Sequence, residues 1–198
     1  MTEIVLASGS RTRAKLLEGA GVSFAVKTAG VDEESVRDSL RAEGASAADV
    51  AVALGEMKAI SVSRNTPGAL VIGGDQMLEC NGVWFEKPRD RAHAEAHLKT
   101  LSGRKHILHS SVVVVLDSTR IWHVLDSVEV EVRPLSDAFI QHYLDQVGDQ
   151  VFDSVGAYQL EGLGAQLFNR VKGDFFTVLG LPLLPLLEFL RVRGVLER

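Results

Sequence analysis

An acidic residue follows an apolar run through two glycines, in the segment Gly73-Gly74-Asp75-Gln76. The run itself, ALVIGG (69–74), has the composition of a buried strand. A carboxylate that emerges from such a strand can bind a divalent cation or accept a proton from water. The structural alternative is a turn at the strand end in which Asp75 caps a neighbouring backbone group. The pattern alone leaves both interpretations open.

A second candidate site lies where the apolar segment EIVLA (3–7) is followed by SGSRTR (8–13) and a predicted helix. Small residues let a ligand approach the backbone, and the start of a helix offers unpaired N–H groups to an anion. Arg13 adds a guanidinium that can bind two phosphate oxygens at once. The Gly-Lys-Ser/Thr ending of a P-loop is absent. The segment is therefore a candidate polyphosphate site, and the alternative is an ordinary turn with a solvated basic edge.

Further charged and polar positions permit either a functional or a structural interpretation. Lys58 and Lys87 are isolated lysines, and most such lysines are solvated. Glu33 stands at the predicted start of a helix, where a carboxylate commonly interacts with the helix dipole. His93 and His97 have the i, i+4 spacing of helical metal ligands, but the His-Glu-x-x-His motif is absent, so we expect a solvated helix face.

The segment GAYQLEGLG (156–164) is rich in glycine and contains one tyrosine and one glutamate. Clustered glycines predict a tight loop. Such a loop could wrap a planar ligand, or it could be a turn with only a structural role.

These candidate residues must be positioned by regular elements, and strand and helix patterns intermix along the chain. Turn signals at Asn81-Gly82 and Asp117-Ser118 predict tight connections between strands. Intermixed elements with hairpins predict an α/β fold with a mixed sheet. The predicted strands are 3–7, 24–29, 69–74, 106–116, 120–132 and 166–171. One predicted helix follows residue 10 and another follows Asp90. Two more are predicted over 47–63, with Ser46 as N-cap, and through Val147, with Ser136 as N-cap.

The composition of the 198-residue chain limits its partners. Its net charge of −5 does not predict binding to a nucleic-acid polymer, although a local cluster of cations can still hold a small anion. One cysteine, Cys80, allows no intramolecular disulfide, as expected in a reducing cytosol. The first residues do not resemble a signal peptide. The most apolar segment, VLGLPLLPLLEFLRVRG (178–194), contains two prolines and a glutamate, so we expect one buried helix and no membrane span.

Taken together, several segments resemble the Maf family of nucleotide pyrophosphatases. Each segment alone is weakly specific, but their order and spacing match the family across almost the whole chain. The matching segments are LASGSRTRAKLLEGAGVSF (6–24), VDEE (31–34), EMKA (56–59), LVIGGDQML (70–78), EKPRD (86–90), LSGRKH (101–106), LSDAFIQHYL (135–144), DSVGAYQLEGLG (153–164) and VKGDFFTVLGLPL (171–183).

The resemblance implies a fold, an activity and an assembly. The fold is a mixed twisted sheet with flanking helices, related to the inosine triphosphate pyrophosphatases, in one domain over 1–198 or two closely packed lobes. The activity is hydrolysis of altered or modified nucleoside triphosphates to monophosphate and pyrophosphate with a divalent cation, Mg²⁺ or Mn²⁺. The resemblance also implies a cytoplasmic homodimer.

The matching motifs assign expected roles to individual residues. Asp75 is the expected proton acceptor, and Glu33 joins Asp75 around the metal. The residues expected to bind phosphates are Ser8, Ser10, Arg13, Lys58 and Lys87.

Several positions depart from the commonest family motifs, and the three that bear on base choice are Thr12, Gln76 and Glu161. At the corresponding positions, the resemblance implies Arg, Thr and Gln for the family branch that acts on dTTP and UTP. For the branch that acts on 7-methyl-GTP, it implies Trp, Gln and Glu. A carboxylate at 161 accepts hydrogen bonds from the N–H groups of a guanine edge. We therefore expect these three residues to set base choice, with guanine-like purines preferred, although Thr12 lacks the ring that would stack on a methylated purine.

Two other functional classes are compatible with the sequence. The first is a non-catalytic nucleotide-binding regulator linked to cell-division arrest, which would bind nucleotide without releasing pyrophosphate. The second is a phosphatase-type hydrolase, which would release orthophosphate. The products formed from a nucleoside triphosphate distinguish all three classes.

Overall fold

The computed structural model describes residues 2–197 and forms a mixed α/β fold, which confirms the predicted class. Its strands belong to one seven-stranded sheet. They are β1 (Ile4–Leu6), β2 (Ala25–Val26), β3 (Leu70–Cys80), β4 (Val83–Phe85), β5 (Lys105–Leu116), β6 (Thr119–Val132) and β7 (Phe168–Lys172). The strand order is β2-β1-β3-β5-β6-β7, and β4 pairs with β3.

Local sequence signals mark the starts of most helices. Side chains of Ser10, Asp32, Ser46, Asp90 and Ser136 each accept a hydrogen bond from a backbone N–H of the first turn, which satisfies a donor that the helix leaves unpaired. The predicted caps at Ser46 and Ser136 are confirmed. The helices are α1 (Arg11–Gly19), α2 (Glu33–Ala42), α3 (Ala47–Ser63), α4 (Arg91–Leu101), α5 (Asp137–Val147), α6 (Phe175–Val178) and α7 (Leu183–Val192).

Parallel and antiparallel strand pairs coexist in the sheet. Strand β1 pairs in parallel with both β2 and β3, whereas β3–β4 and β6–β7 are antiparallel. The turn between β3 and β4 uses Asn81 and Gly82, both with positive φ, as the sequence predicted. Asp117 and Ser118, also with positive φ, connect β5 to β6.

The chain divides into two compact units. The first contains residues up to 76 together with 110–126 and 175–198, and the second contains 77–109 and 127–174. In the first unit, one hydrophobic cluster joins β1, β3 and β5 to α1 and α7, and its members include Ile72, Leu17 and Leu186. A separate cluster joins the same strands to α3 through Val71 and Ala59. Alternate residues of β3 therefore face different helices.

The second unit contains the packed pair α4 and α5 and the loop 154–164. Tyr158 anchors this loop, because its buried hydroxyl lies 2.6 Å from Nε2 of His106. Burial lowers the pKa of His106 to about 4, so its imidazole is neutral at physiological pH. Gly156 lacks a side chain where a Cβ would lie 2.2 Å from the Tyr158 ring, so the tight loop needs glycine there.

Two predicted elements have different limits in the structure. Strand β3 continues through Asp75 to Cys80, so the prediction that GDQ lies at the end of the strand is wrong. The apolar segment 178–194 is not one helix, because α6 ends at Val178 and α7 starts at Leu183. Between them Gly180 adopts φ +88° and is followed by the Leu181-Pro182 pair. No helix within residues 2–197 combines the length and apolar character needed to cross a membrane.

Candidate active site

Two glycines bring α3 against strand β3 close to Asp75. A Cβ on Gly73 would lie 2.1 Å from the carbonyl oxygen of Gly55 and 2.9 Å from Cβ of Ala59, so the helix backbone occupies the space of that side chain. Gly73 and Asp75 share a strand face, since side chains alternate along a strand. Lys58 lies one helical turn beyond Gly55. This close packing therefore places the lysine over Asp75.

We expect Gly73→Ala to destabilise the protein, because backbone atoms cannot move aside as a flexible side chain could. The loss of unfolding free energy should lie at the upper end of the roughly 1–3 kcal/mol typical of overpacking. Thermal denaturation measures this as a fall of about 5–10 °C. Gly30→Ala is the matched control, because nothing lies within 4 Å of its added Cβ. An unchanged midpoint for Gly73→Ala would mean that α3 does not need this close approach.

Lys58 bridges two carboxylates. Its Nζ lies 2.7 Å from Oδ1 of Asp75 and 2.9 Å from Oε2 of Glu33. The side chains of Lys58 and Asp75 are each 11% exposed, whereas that of Glu33 is 45% exposed. Lys58 is therefore not the solvated lysine of the structural alternative. Glu33 is the first residue of α2, so its carboxylate lies near the positive end of the helix dipole. The same carboxylate contacts Lys58.

Burial dominates the electrostatics of this cluster. Desolvation raises the pKa of Asp75 above its usual range, although the positive charges of Lys58 and Arg13 oppose that rise. Desolvation likewise lowers the pKa of Arg13, and the carboxylates of Asp75 and Glu33 oppose the change. A carboxylate with a raised pKa is a better proton acceptor than an ordinary exposed one.

Arg13 is held in place from two sides. Its Nε donates to the carbonyl oxygen of Gly180 at 2.7 Å, and its Nη1 donates to Oγ of Ser8 at 3.0 Å. Both Arg13 and Ser8 are buried. Ser10 caps α1 by accepting a hydrogen bond from the backbone N–H of Arg13. The guanidinium keeps further N–H groups for a ligand, and this arrangement differs from a solvated basic edge.

The donor set around Lys58 suits a hard divalent cation. Oδ1 of Asp75 and Oε2 of Glu33 already converge on one positive group. A carboxylate offers about four lone-pair sites on its two oxygens, and carboxylate oxygens are the ligands that Mg²⁺ prefers, usually one or two of them together with substrate phosphates. No cluster of three or more His, Cys, Asp or Glu side chains suited to a metal occurs within residues 2–197. The two converging carboxylates fit a cation that takes its remaining ligands from phosphate groups.

Eight of the predicted site residues lie in the first unit, and two lie in the second. Lys87 and Glu161 belong to the second unit, and both are exposed. Thr12 is half-buried in the first turn of α1. The first-unit residues that share hydrogen bonds, ion pairs or strand neighbours in this cluster are Ser8, Ser10, Arg13, Glu33, Lys58, Asp75 and Gln76.

Some supporting residues were not found from the sequence. The Oγ atom of Ser111 accepts from the backbone N–H of Asp75 at 3.3 Å and donates to the carbonyl oxygen of Ala51 at 2.6 Å. Ser110 contacts Gln76, and Gly180 contacts Arg13. The signal that could have revealed the serines is a polar pair directly before the run VVVV (112–115) of a buried strand.

The histidine pair on α4 only partly matches its expected solvated face. His97 is 6% exposed and packs edge-on against Phe85, so the prediction is wrong for that residue. Its Nε2 lies 3.0 Å from Nε2 of His93. Burial and the neighbouring His93 lower the pKa of His97 to about 4. His97 therefore belongs to the apolar packing of the second unit.

Comparison with known proteins gives a consistent result across the chain. The family model described as Maf-like protein matches residues 3–193. A nucleoside triphosphate pyrophosphatase of Paramagnetospirillum magneticum is 55% identical over 97% of this chain and 99% of its own length. A nucleoside triphosphate pyrophosphatase of Rhodospirillum rubrum is 50% identical over 98% of this chain and 96% of its own length. A 7-methyl-GTP pyrophosphatase of Rhizobium meliloti is 48% identical over 98% of both chains.

Proposed function

Because this chain belongs to the Maf-like protein family, we propose that it hydrolyses nucleoside triphosphates to nucleoside monophosphate and pyrophosphate. The structural observation that carries the proposal is the buried Lys58 bridging Asp75 and Glu33. A buried ion pair is costly to form, and functional sites are where such arrangements concentrate. The relatives named as nucleoside triphosphate pyrophosphatases span almost the whole chain.

Asp75 is the proposed proton acceptor. A water oxygen attacks the α-phosphorus, the bond from this phosphorus to the α–β bridging oxygen breaks, and pyrophosphate leaves. Oδ1 of Asp75 is held by Lys58, whereas Oδ2 receives no hydrogen bond from any residue in 2–197. The water proton passes to Oδ2. The hydrogen bond from Lys58 fixes the orientation of the carboxylate during this transfer.

A divalent cation, Mg²⁺ or Mn²⁺, would be held by Asp75 and Glu33. When bound, it would neutralise phosphate charge and orient the triphosphate. Within the chain itself, Lys58 keeps the two carboxylates from repelling each other. Together with Arg13, the cluster has two cationic and two anionic side chains, so its charges balance before a polyanion binds.

The phosphates are proposed to bind at the start of α1. Arg13 offers the N–H groups not used by Gly180 and Ser8, and Ser8 keeps a hydroxyl proton because its Oγ only accepts in its contacts with Arg13 and the N–H of Ser10. The first turn of α1 adds backbone donors beyond the cap made by Ser10. Lys58 would contact the same anion, and Lys87 remains a prediction for phosphate binding.

We propose that Thr12, Gln76 and Glu161 set base choice. The 48% identical relative named for 7-methyl-GTP supports a guanine-type base. Thr12 has no aromatic ring, so it cannot stack on the base as the Trp expected in the 7-methyl-GTP branch would. Glu161 is exposed on its loop and, as a carboxylate, is available only as an acceptor.

We expect kcat/KM for GTP-type substrates to exceed that for dTTP and UTP, because a carboxylate pairs with guanine N–H groups and repels pyrimidine carbonyls. The mismatch should be worth a few kcal/mol at most, or about 10–100-fold. Steady-state kinetics on a nucleotide panel measures the ratio. Glu161→Gln should narrow it, and Glu188→Gln, an exposed glutamate on α7, is the control. A wild-type preference of tenfold or more for dTTP or UTP would contradict this assignment.

The cytoplasmic location and the homodimer are also proposed from the family resemblance. The net charge of −5 supports a small nucleotide, and no nucleic-acid polymer, as the ligand. Light scattering of the purified chain would give its mass, and a monomer of 21.5 kDa would contradict the dimer.

A product assay tests the proposed function. The protein is incubated with a panel of nucleoside triphosphates and Mg²⁺ or Mn²⁺, and mono- and diphosphate, pyrophosphate and orthophosphate are quantified. We expect equal amounts of monophosphate and pyrophosphate. Nucleoside diphosphate with orthophosphate would identify a phosphatase-type hydrolase. Binding without any product would identify a non-catalytic regulator.

A further inference from the structure

The side-chain amide of Gln76 is committed to hydrogen bonds within the first unit. Its Nε2 donates to Oγ of Ser110 at 2.9 Å and to the carbonyl oxygens of Val178 and Thr177 at 3.0 and 3.1 Å. Ser110 donates its own hydroxyl proton to Thr177, which leaves its oxygen to accept from Gln76. Two carbonyl acceptors require the nitrogen end of the amide here. Both N–H groups of Gln76 are therefore used.

The carbonyl groups that Gln76 binds are at the end of α6, and that of Thr177 also accepts from the backbone N–H of Gly180 at 3.0 Å. Gly180 follows two residues later with φ +88°. Its carbonyl oxygen accepts from Nε of Arg13 at 2.7 Å. A Cβ on Gly180 would lie 3.5 Å from Nη2 of Arg13 and 3.6 Å from Oε1 of Gln76. The turn 178–180 thus connects the amide to the guanidinium.

We propose that Gln76 is a positioning residue for Arg13, acting through the 178–180 turn. By fixing the end of α6, Gln76 fixes the Gly180 carbonyl, and that carbonyl orients the guanidinium toward phosphate. The proposal rests on the proposed phosphate-binding role of Arg13. Oε1 is the only polar atom of the Gln76 side chain left for a ligand, so any contact with a base must use Oε1.

Gln76→Glu separates these two uses of the side chain. The variant keeps an acceptor at Oε1 but replaces the donor by a second carboxylate oxygen, which faces the carbonyl oxygens of Thr177 and Val178. The positioning role is then lost, whereas an acceptor contact with a base would be retained. Gln146→Glu, the same change at an exposed residue of α5, is the matched control.

The test compares wild type, Gln76→Glu, Arg13→Ala and the double variant, with GTP and dTTP as substrates. We expect Gln76→Glu to lower the kcat/KM of the wild-type protein by about tenfold or more, and by similar factors for GTP and dTTP. In the Arg13→Ala protein, we expect the same substitution to change kcat/KM by less than about threefold. Equal losses of kcat/KM with GTP and dTTP would indicate that phosphate binding is impaired. Full additivity of the two changes, or a loss confined to one base, would overturn the proposal.

A second measurement separates failure of this proposal from failure of the proposed function. Tripolyphosphate binding to the same four proteins is followed by calorimetry, and thermal melts confirm that each is folded. We expect Gln76→Glu to weaken binding in wild type and to have little further effect when Arg13 is alanine. An enzyme without pyrophosphatase activity that gives this pattern would retain the positioning role. Unchanged tripolyphosphate affinity in Gln76→Glu would overturn it, whatever the activity.

Discussion

Asp75→Asn is expected to reduce kcat by about 10²–10⁴-fold while leaving the fold intact. The amide has almost the shape of the carboxylate, so it fits the space over which α3 packs, but it cannot accept a proton from water. Lys58 keeps its ion pair with Glu33 in the variant, which limits the structural change. Single-turnover kinetics with GTP and a thermal melt measure the two effects separately.

Asp38→Asn is the matched control for this change, because Asp38 is an exposed carboxylate on α2. We expect wild-type activity from that variant. If Asp75→Asn keeps more than about a tenth of the wild-type rate, Asp75 is not the proton acceptor. A loss of activity that matches a loss of folded protein would assign Asp75 a structural role only.

Lys58→Ala and Arg13→Ala are expected to weaken catalysis by roughly 10²–10³-fold each, and to weaken catalysis more than they weaken folding. Removing Lys58 leaves the carboxylates of Asp75 and Glu33 close together without the cation between them. Removing Arg13 takes away the anchored guanidinium that is proposed to bind phosphate. Steady-state kinetics and chemical denaturation give the two effects.

Lys15→Ala provides the control for both variants, since Lys15 is an exposed cation on α1. Its activity should match wild type. Unchanged kcat/KM in both Lys58→Ala and Arg13→Ala would remove these residues from the phosphate site. A large fall in unfolding free energy with an equal fall in activity would make them structural.

Local signals were sufficient to predict many elements of the fold. Ser46 and Ser136 caps and the Asn81-Gly82 turn depend on residues close in sequence, and each was found where predicted. The end of β3 was not, because Asp75 and Gln76 interrupt the apolar run. Neighbouring strands stabilise this part of β3, and a single sequence carries no local sign of them.

The sequence predicted which residue types form the site, but it did not predict the burial and the contacts of their side chains. Carboxylates, lysine and arginine at matching motifs indicated polyphosphate chemistry. The burial of Lys58 was not predictable, because it depends on the close approach of Gly73 and Gly55, which are distant in sequence. The commitment of the Gln76 amide to α6 likewise depends on a contact across about a hundred residues.

Hydrolysis in ¹⁸O-labelled water shows which phosphorus atom the water attacks. For attack on the α-phosphorus, we expect mass spectrometry to find one ¹⁸O atom in the nucleoside monophosphate and none in pyrophosphate. Label in pyrophosphate would place the attack on the β-phosphorus, and label in orthophosphate would place it on the γ-phosphorus. Either of these two results would rule out the proposed attack on the α-phosphorus.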